Sequence, residues 1–122
     1  MPSEPVIVVH GGAGDIPDSR DRAKFDGMLA AVRRAAAAYA STSSVTDACQ
    51  SAVECMEDDE AFNAGRGSVL NAAGEIEMEA LIMEGEHMKA GEALSDRRGG
   101  GVGWRTVYPG IYGGGRLGPS PK

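Results

Sequence analysis

Half of the 18 glycines in this chain of 122 residues fall in its last fifth, and that asymmetry limits what can fold. Residues 98–122 hold four basic side chains (Arg98, Arg105, Arg116 and Lys122), no acidic one, three of the six prolines and the only tryptophan. A stretch so rich in Gly and Pro buries too little apolar surface to offset the entropy of ordering it. It reads as the core of a divergent, disordered tail. All 18 acidic side chains lie in residues 1–97, against 8 basic ones. Any packed core has to come from that first part, as one small domain. Aromatics make up only 5% of the chain, so the core must be built from Val, Ile, Leu, Met and Ala.

The formal net charge of −6 argues against nucleic acid as a partner, because neutralising phosphates needs a basic face. Membrane spanning is equally disfavoured: the apolar run Val6–Val9 is far too short, and Met1–Pro5 carries no positive signal-peptide start. A cytoplasmic location is the expectation. Cys49 and Cys55 are too few for a disulfide framework and, six apart on a helix, point away from each other, so buried free thiols are expected.

The β-branched run Val6-Ile7-Val8-Val9, stopped by His10-Gly11-Gly12-Ala13-Gly14, predicts a strand buried on both faces. Phe25, Met28, Leu29, Val32, Ala36 and Tyr39 recur at helical spacing and predict an amphipathic helix over 19–40, capped by Asp18 or Ser19. Gly27 should weaken that helix by about 1 kcal/mol relative to Ala. Ser44 followed by Asp47 resembles a capping box, opening a second helix over 45–57 with Ala48, Cys49, Ala52, Val53 and Met56 on its apolar face.

That second helix runs into the acidic sequence Glu57-Asp58-Asp59-Glu60, whose negative charge opposes the helix dipole. Either the run is a solvated corner or a cation relieves it. A glycine-spaced turn follows at Phe62–Ser68. Val69 and Leu70 should begin a strand, Asn71–Gly74 turn, and Glu75–Met83 alternate as the rest of a hairpin, with Ile76, Met78, Ala80 and Ile82 on one side. Strand, two helices and hairpin make a layered α/β piece.

Few residues could carry chemistry on their own. His10 ends the first strand against glycines, where a structural imidazole is the plain reading, and His87 lies in the charged turn Glu84–His87. No His/Cys cluster has metal-ligand spacing, and no nucleophile elbow is present. Gly12-Ala13-Gly14-Asp15-Ile16-Pro17 begins like a dinucleotide fingerprint, but Pro17 replaces the third glycine, and Arg33 and Arg34 stand where an acidic residue would be needed. What remains is a glycine loop whose backbone can approach a ligand or another chain segment closely.

Taken in order, three motifs carry a resemblance. Val6-Ile7-Val8-Val9-His10-Gly11-Gly12-Ala13-Gly14 resembles the opening strand and His-Gly-Gly loop of the plant-type asparaginases, the isoaspartyl peptidase/L-asparaginase family. Residues 57–71, with Phe62-Asn63-Ala64-Gly65 and Gly67-Ser68-Val69-Leu70, resemble its second signature, and Glu75–Ala80 with Met88-Lys89-Ala90-Gly91 resemble the strand and turn that follow. The likeness covers about residues 6–91, which sets an expected boundary between a family segment over 1–91 and the divergent tail over 92–122.

The resemblance implies part of an N-terminal nucleophile hydrolase, an αββα sandwich of two sheets between helical layers. In such enzymes a precursor cuts itself ahead of a mid-chain threonine, whose hydroxyl becomes the nucleophile and whose α-amine is the base. The implied substrates are L-asparagine and isoaspartyl (β-aspartyl) peptides, giving aspartate plus ammonia or the released peptide. The implied partners are the β-subunit from the same precursor and a dimer of αβ units. His10, Gly11 and Gly12 would lie close to the nucleophile, and Asn63 near the attacked carbonyl. No cofactor is implied for catalysis, but the backbone of Met56, Glu57, Asp59, Phe62, Ala64 and Arg66 would hold a structural sodium ion.

The likeness stops after Gly91. Thr42 and Thr46 flank the start of the second helix, and Thr106 lacks both the residue before and the Val-Gly-Ala-Val run after the family's nucleophile. The catalytic threonine is therefore expected to be missing from these residues. The chain reads as truncated and inactive alone, or as a catalytically dead form that pairs with a full-length enzyme.

Overall fold

The computed structural model describes residues 5–94. The chain divides after Val69 into two units.

In the first unit, α1 spans Asp18–Thr42 and α2 spans Val45–Glu57, followed by a single 3-10 turn at Gly65–Gly67. The alanine-rich stretch from Ala30 to Ala40 supplies helix propensity, and Asp18 and Asp21 in the first turn suit the positive end of the dipole. The cap itself differs from expectation. Pro17, not Asp18 or Ser19, precedes the first turn, and its carbonyl accepts from the Arg20 N–H at 2.8 Å. At the other end Ser43 adopts the left-handed conformation (φ 56°) and donates its N–H to the Tyr39 carbonyl at 2.8 Å, so the chain reverses within two residues. Ser44 then caps α2 as predicted, its Oγ accepting from the Asp47 N–H at 3.1 Å. The returning half of a capping box is absent, because the Ser44 N–H donates to Thr42 Oγ1 at 3.2 Å.

The helices meet along small residues. Gly27, Ala31 and Ala35 form one stripe of α1, and Ala48 and Ala52 are the buried residues of α2. This corrects part of the predicted apolar face of α1: Met28, Val32 and Tyr39 are half-buried and Tyr39 packs on the core, but Phe25 is 58% and Leu29 37% exposed, Ala36 is exposed, and Ala31 and Ala35 are sealed instead. Spacing of four along a helix builds a continuous ridge, and alanines on that ridge let two backbones approach where larger side chains would hold them apart. On α2, Cys49 and Val53 are exposed and Cys55 joins Met56 against the core. Both thiols are free, but the expected burial fails, fully for Cys49 and partly for Cys55.

A second correction concerns Val6–Val9. Ile7 and Val9 pack against the alanine core, while Val6 and Val8 are 88% and 85% exposed. The segment forms no strand, because among the described residues no ladder partner is present and nothing covers its outer face.

In the second unit the Asn71–Gly74 turn forms as predicted. Asn71 Oδ1 accepts from the Ala73 and Glu75 N–H groups, each at 2.9 Å, and Gly74 takes a φ of 76° that favours glycine. It does not join two strands. Val69 gives its N–H to the Asn63 side chain and is lost to any ladder. The hairpin lies further on, pairing β1 (Glu79–Glu84) with β2 (Lys89–Leu94) antiparallel, from Glu79 opposite Leu94 to Glu84 opposite Lys89. The Glu84 carboxylate gathers the N–H groups of Glu86 and His87 and the His87 ring, which fixes the turn. Burial alone would push that carboxyl up, but these donors hold it below the usual carboxylate range.

Met78, Ala80 and Ile82 alternate with exposed Glu79, Leu81 and Met83, as the period-two pattern predicts, although Ile76 is 49% exposed. Strand β2 runs past Gly91 to Leu94, so residues 92–94, expected in the tail, belong to the ladder. The rest of the expected disordered tail lies outside the described residues. The helix and strand content is compatible with an α/β fold. No described helix is long and apolar enough to cross a membrane.

Gly27 offers a direct check on this packing. A β-carbon there would stand 2.6 Å from Asp59 Oδ2 and 2.6 Å from the Phe62 ring. Helix propensity alone predicts that Gly27→Ala stabilises by about 1 kcal/mol. Overpacking should win, and thermal unfolding should show the variant destabilised by about 1–3 kcal/mol.

Candidate functional site

The two signature segments of the first unit meet on α1. The His10–Gly12 loop lies over the helix at Lys24 and Met28: Lys24 Nζ donates to the Gly11 carbonyl at 2.9 Å, and a β-carbon at Gly11 would stand 2.9 Å from Met28 Sδ. Glycine is required at Gly12 for a second reason, its φ of 104°. The Gly12 N–H donates to His10 Nδ1 at 3.0 Å, so that ring nitrogen acts as an acceptor. His10 itself is exposed.

The Phe62 side reaches the same stretch of helix. Phe62 is 5% exposed and lies against Gly27, while Lys24 Nζ stands 5.1 Å from its ring centre, within cation–π range. Asp59 shapes the approach: its Oδ1 accepts the Ala61 N–H at 2.9 Å and its carbonyl accepts the Phe62 N–H at 3.2 Å. Asn63 follows Phe62 and is exposed, its Oδ1 accepting the Val69 N–H at 2.9 Å. That bond closes the Asn63–Val69 loop.

Spacing did not single out Lys24, Gly27 or Met28 as site residues. The only signal for Lys24 and Met28 was their separation of four, which puts them on one face of a helix. Of the threonines, Thr42 ends α1 and Thr46 lies in the first turn of α2. Thr106 lies outside the described residues. His87 sits in the hairpin turn of the second unit, its Nδ1 3.0 Å from Glu84 Oε2.

The turn after α2 was the expected cation loop. Gly65 (φ 54°) and Gly67 give way to backbone carbonyls: a β-carbon at Gly65 would collide with the Glu57 carbonyl, and one at Gly67 with those of Phe62 and Glu60. Of the six expected ligand carbonyls, those of Met56, Asp59 and Ala64 accept backbone N–H groups from Asp59, Phe62 and Gly67 at 3.2, 3.2 and 3.1 Å. The Met56 carbonyl also lies toward the Asp58 N–H, whereas those of Asp59 and Ala64 each keep a second lone pair. The Glu57 and Phe62 carbonyls accept no backbone hydrogen bond among the described residues. The Ser68 hydroxyl, at the end of this turn, is buried without a hydrogen-bond partner among the described residues. Hard oxygen donors beside four acidic residues suit a hard cation.

Electrostatics agree with a strained helix end. Burial, then the charges of Glu54 and Asp58, push the Glu57 carboxyl above its ordinary value. Arg34 answers only in part, at 3.5 Å from Glu54 and 3.8 Å from Asp58. A carboxyl raised in the folded state binds protons more readily there than in the unfolded chain. Its contribution to stability is therefore fully present below the ordinary carboxylate range and lost as pH rises through the raised value. In choline buffer free of small cations, Glu57→Gln should raise stability at pH 7 by less than about 1 kcal/mol, given solvent screening. The gain should shrink toward pH 4, as followed by denaturant titration at both pH values.

Comparison with known proteins identifies the family. A family model described as asparaginase matches residues 3–95. A probable isoaspartyl peptidase/L-asparaginase of Drosophila pseudoobscura pseudoobscura is 50% identical over 91 residues, covering 71% of this chain and 28% of that protein. The isoaspartyl peptidase/L-asparaginase of Danio rerio is 47% identical over 94 residues, covering 77% and 30%. That of Homo sapiens is 46% identical over 88 residues, covering 71% and 29%. With the match spanning most of its length and both signature loops seated on one helix, this chain belongs to the asparaginase family. It spans less than a third of the length of the curated relatives it matches.

Proposed function

We propose that these residues form the opening segment of a hydrolase acting on L-asparagine and isoaspartyl peptides, releasing aspartate with ammonia or the freed peptide. The observation that carries this reading is the meeting of the His10–Gly12 loop and the Phe62–Asn63 segment on α1. Such an arrangement presents glycine backbone and an exposed carboxamide from one rigid support, which suits substrate positioning beside a nucleophile. The nucleophile would be the N-terminal threonine of a β-subunit, completing the αββα sandwich and the dimer of αβ units. His10, Gly11 and Gly12 line its approach, and the Asn63 amide hydrogen-bonds near the attacked carbonyl.

Residues 1–122 are inactive by themselves in this reading, because no threonine among them stands in the family's nucleophile pattern. Purified alone, they should release no ammonia from L-asparagine in a coupled assay. A chimera with residues 5–94 in place of the matching segment of the Danio rerio relative should hydrolyse asparagine. In that chimera Asn63→Ala should lower kcat/KM by about a hundredfold, the size of losing one well-placed donor. Turnover by the isolated chain, or an inert but folded chimera, would contradict the reading.

The Met56, Glu57, Asp59, Phe62, Ala64 and Arg66 carbonyls would hold a sodium ion that supports the loop and takes no part in the chemistry. Sodium chloride should then raise the melting temperature above that in choline chloride of equal ionic strength.

The exposed Val6 and Val8 favour a second reading, in which the chain is a catalytically dead form that pairs with the full-length enzyme through its first segment and hairpin. Size-exclusion of a mixture with an intact relative would show co-elution if so, and separate peaks if not.

A further inference from the structure

We propose that Lys24 is a positioning residue that pins the plane of the Gly11–Gly12 peptide and ties it to Phe62. The inference rests on the functional reading above for its consequence, but not for its geometry. The Gly11 carbonyl and the Gly12 N–H belong to one peptide unit. Lys24 Nζ holds the carbonyl end at 2.9 Å, and His10 Nδ1 holds the N–H end at 3.0 Å. Two glycines in succession leave that unit almost free to rotate, and Gly12 already sits at a φ of 104°. Its orientation must therefore come from outside the backbone.

The two holds differ in kind. The His10 bond is local, two residues away and exposed, so it moves with the loop. Lys24 is anchored elsewhere: it projects from α1, thirteen residues on, and its bond to Gly11 is partly buried. The same ammonium stands 5.1 Å from the centre of the Phe62 ring, the residue before Asn63. One cation thus joins the glycine loop to the second signature segment. An ammonium has three donors, so bonding Gly11 leaves it free to lie over the ring. Met28, one turn further along α1, closes off the space beside Gly11. A charge-assisted bond in such a setting is among the stronger hydrogen bonds a loop can make.

The test uses the chain as it stands, by NMR with 13C and 15N labels, and needs no assay. In the wild type, Lys24 Nζ should show a scalar coupling across the hydrogen bond to the Gly11 carbonyl carbon at low temperature. Lys24→Met keeps the apolar stem and removes the donor. It should shift the Gly11 carbonyl resonance and speed exchange of the Gly12 amide by roughly tenfold, the order expected for losing a bond to a charged group. Lys24→Arg, which restores a cationic donor, should recover most of that protection. The proposal is overturned if the wild type shows no coupling, or if Lys24→Met leaves both glycine signals unchanged. It is also overturned if Lys24→Arg behaves as Lys24→Met does while the fold of each is intact by circular dichroism. None of these outcomes bears on whether the chimera hydrolyses asparagine, so the two ideas fail separately.

Discussion

The seating of one aromatic ring on one glycine organises the first unit. Among the described residues, Phe62 is the only large side chain of the five buried apolar ones; the other four are alanines. Burying such a ring contributes about 1.5–3 kcal/mol, more than any single alanine contact can. The ring reaches α1 only because Gly27 has no side chain, and its arrival brings Asp59 and the loop beyond it against the helix. Without that contact the alanine seam between α1 and α2 would remain, but the signature segment after α2 would have no fixed place. The apparent weakness of a glycine in mid-helix is therefore the condition for placing the candidate site.

A second constraint follows from the first. Holding the chain close to α1 forces α2 to end in a tight turn with four acidic residues at the unfavourable end of its dipole. Gly65 and Gly67 let carbonyl oxygens crowd into that turn, where larger residues would push them out. Negative charge and two carbonyls that accept no backbone hydrogen bond among the described residues, those of Glu57 and Phe62, concentrate at the same place. The acidic run and the glycine spacing thus read as one feature.

Legibility in the sequence followed how local each cause was. The span of α2 and its Ser44 cap, the Asn71 turn and the alternation of Met78, Ala80 and Ile82 all arise within a few residues, and pattern alone revealed them. What escaped were consequences of contact between distant segments. The packed face of α1 is set by how near α2 can come, so small Ala31 and Ala35 displaced the larger Phe25 and Leu29 that periodicity favoured. Val6–Val9 looked like a strand from composition, but a strand also needs partners, and none is present among the described residues. The expected strand at Val69 failed for a similar reason, its N–H being claimed by the Asn63 side chain. His10–Gly12 and Asn63 were marked by resemblance to the family, whereas Lys24 and Gly27 gain meaning only once Phe62 is in place.

The first unit therefore turns on Phe62 against α1, and nuclear Overhauser spectroscopy of the folded chain tests that contact most directly. Strong cross-peaks from the Phe62 ring protons to both Gly27 α-protons, with those α-protons shifted by the ring current, are the predicted result. Phe62 resonances at random-coil positions with no cross-peak to Gly27, in a sample whose alanine contacts between α1 and α2 are present, would contradict it.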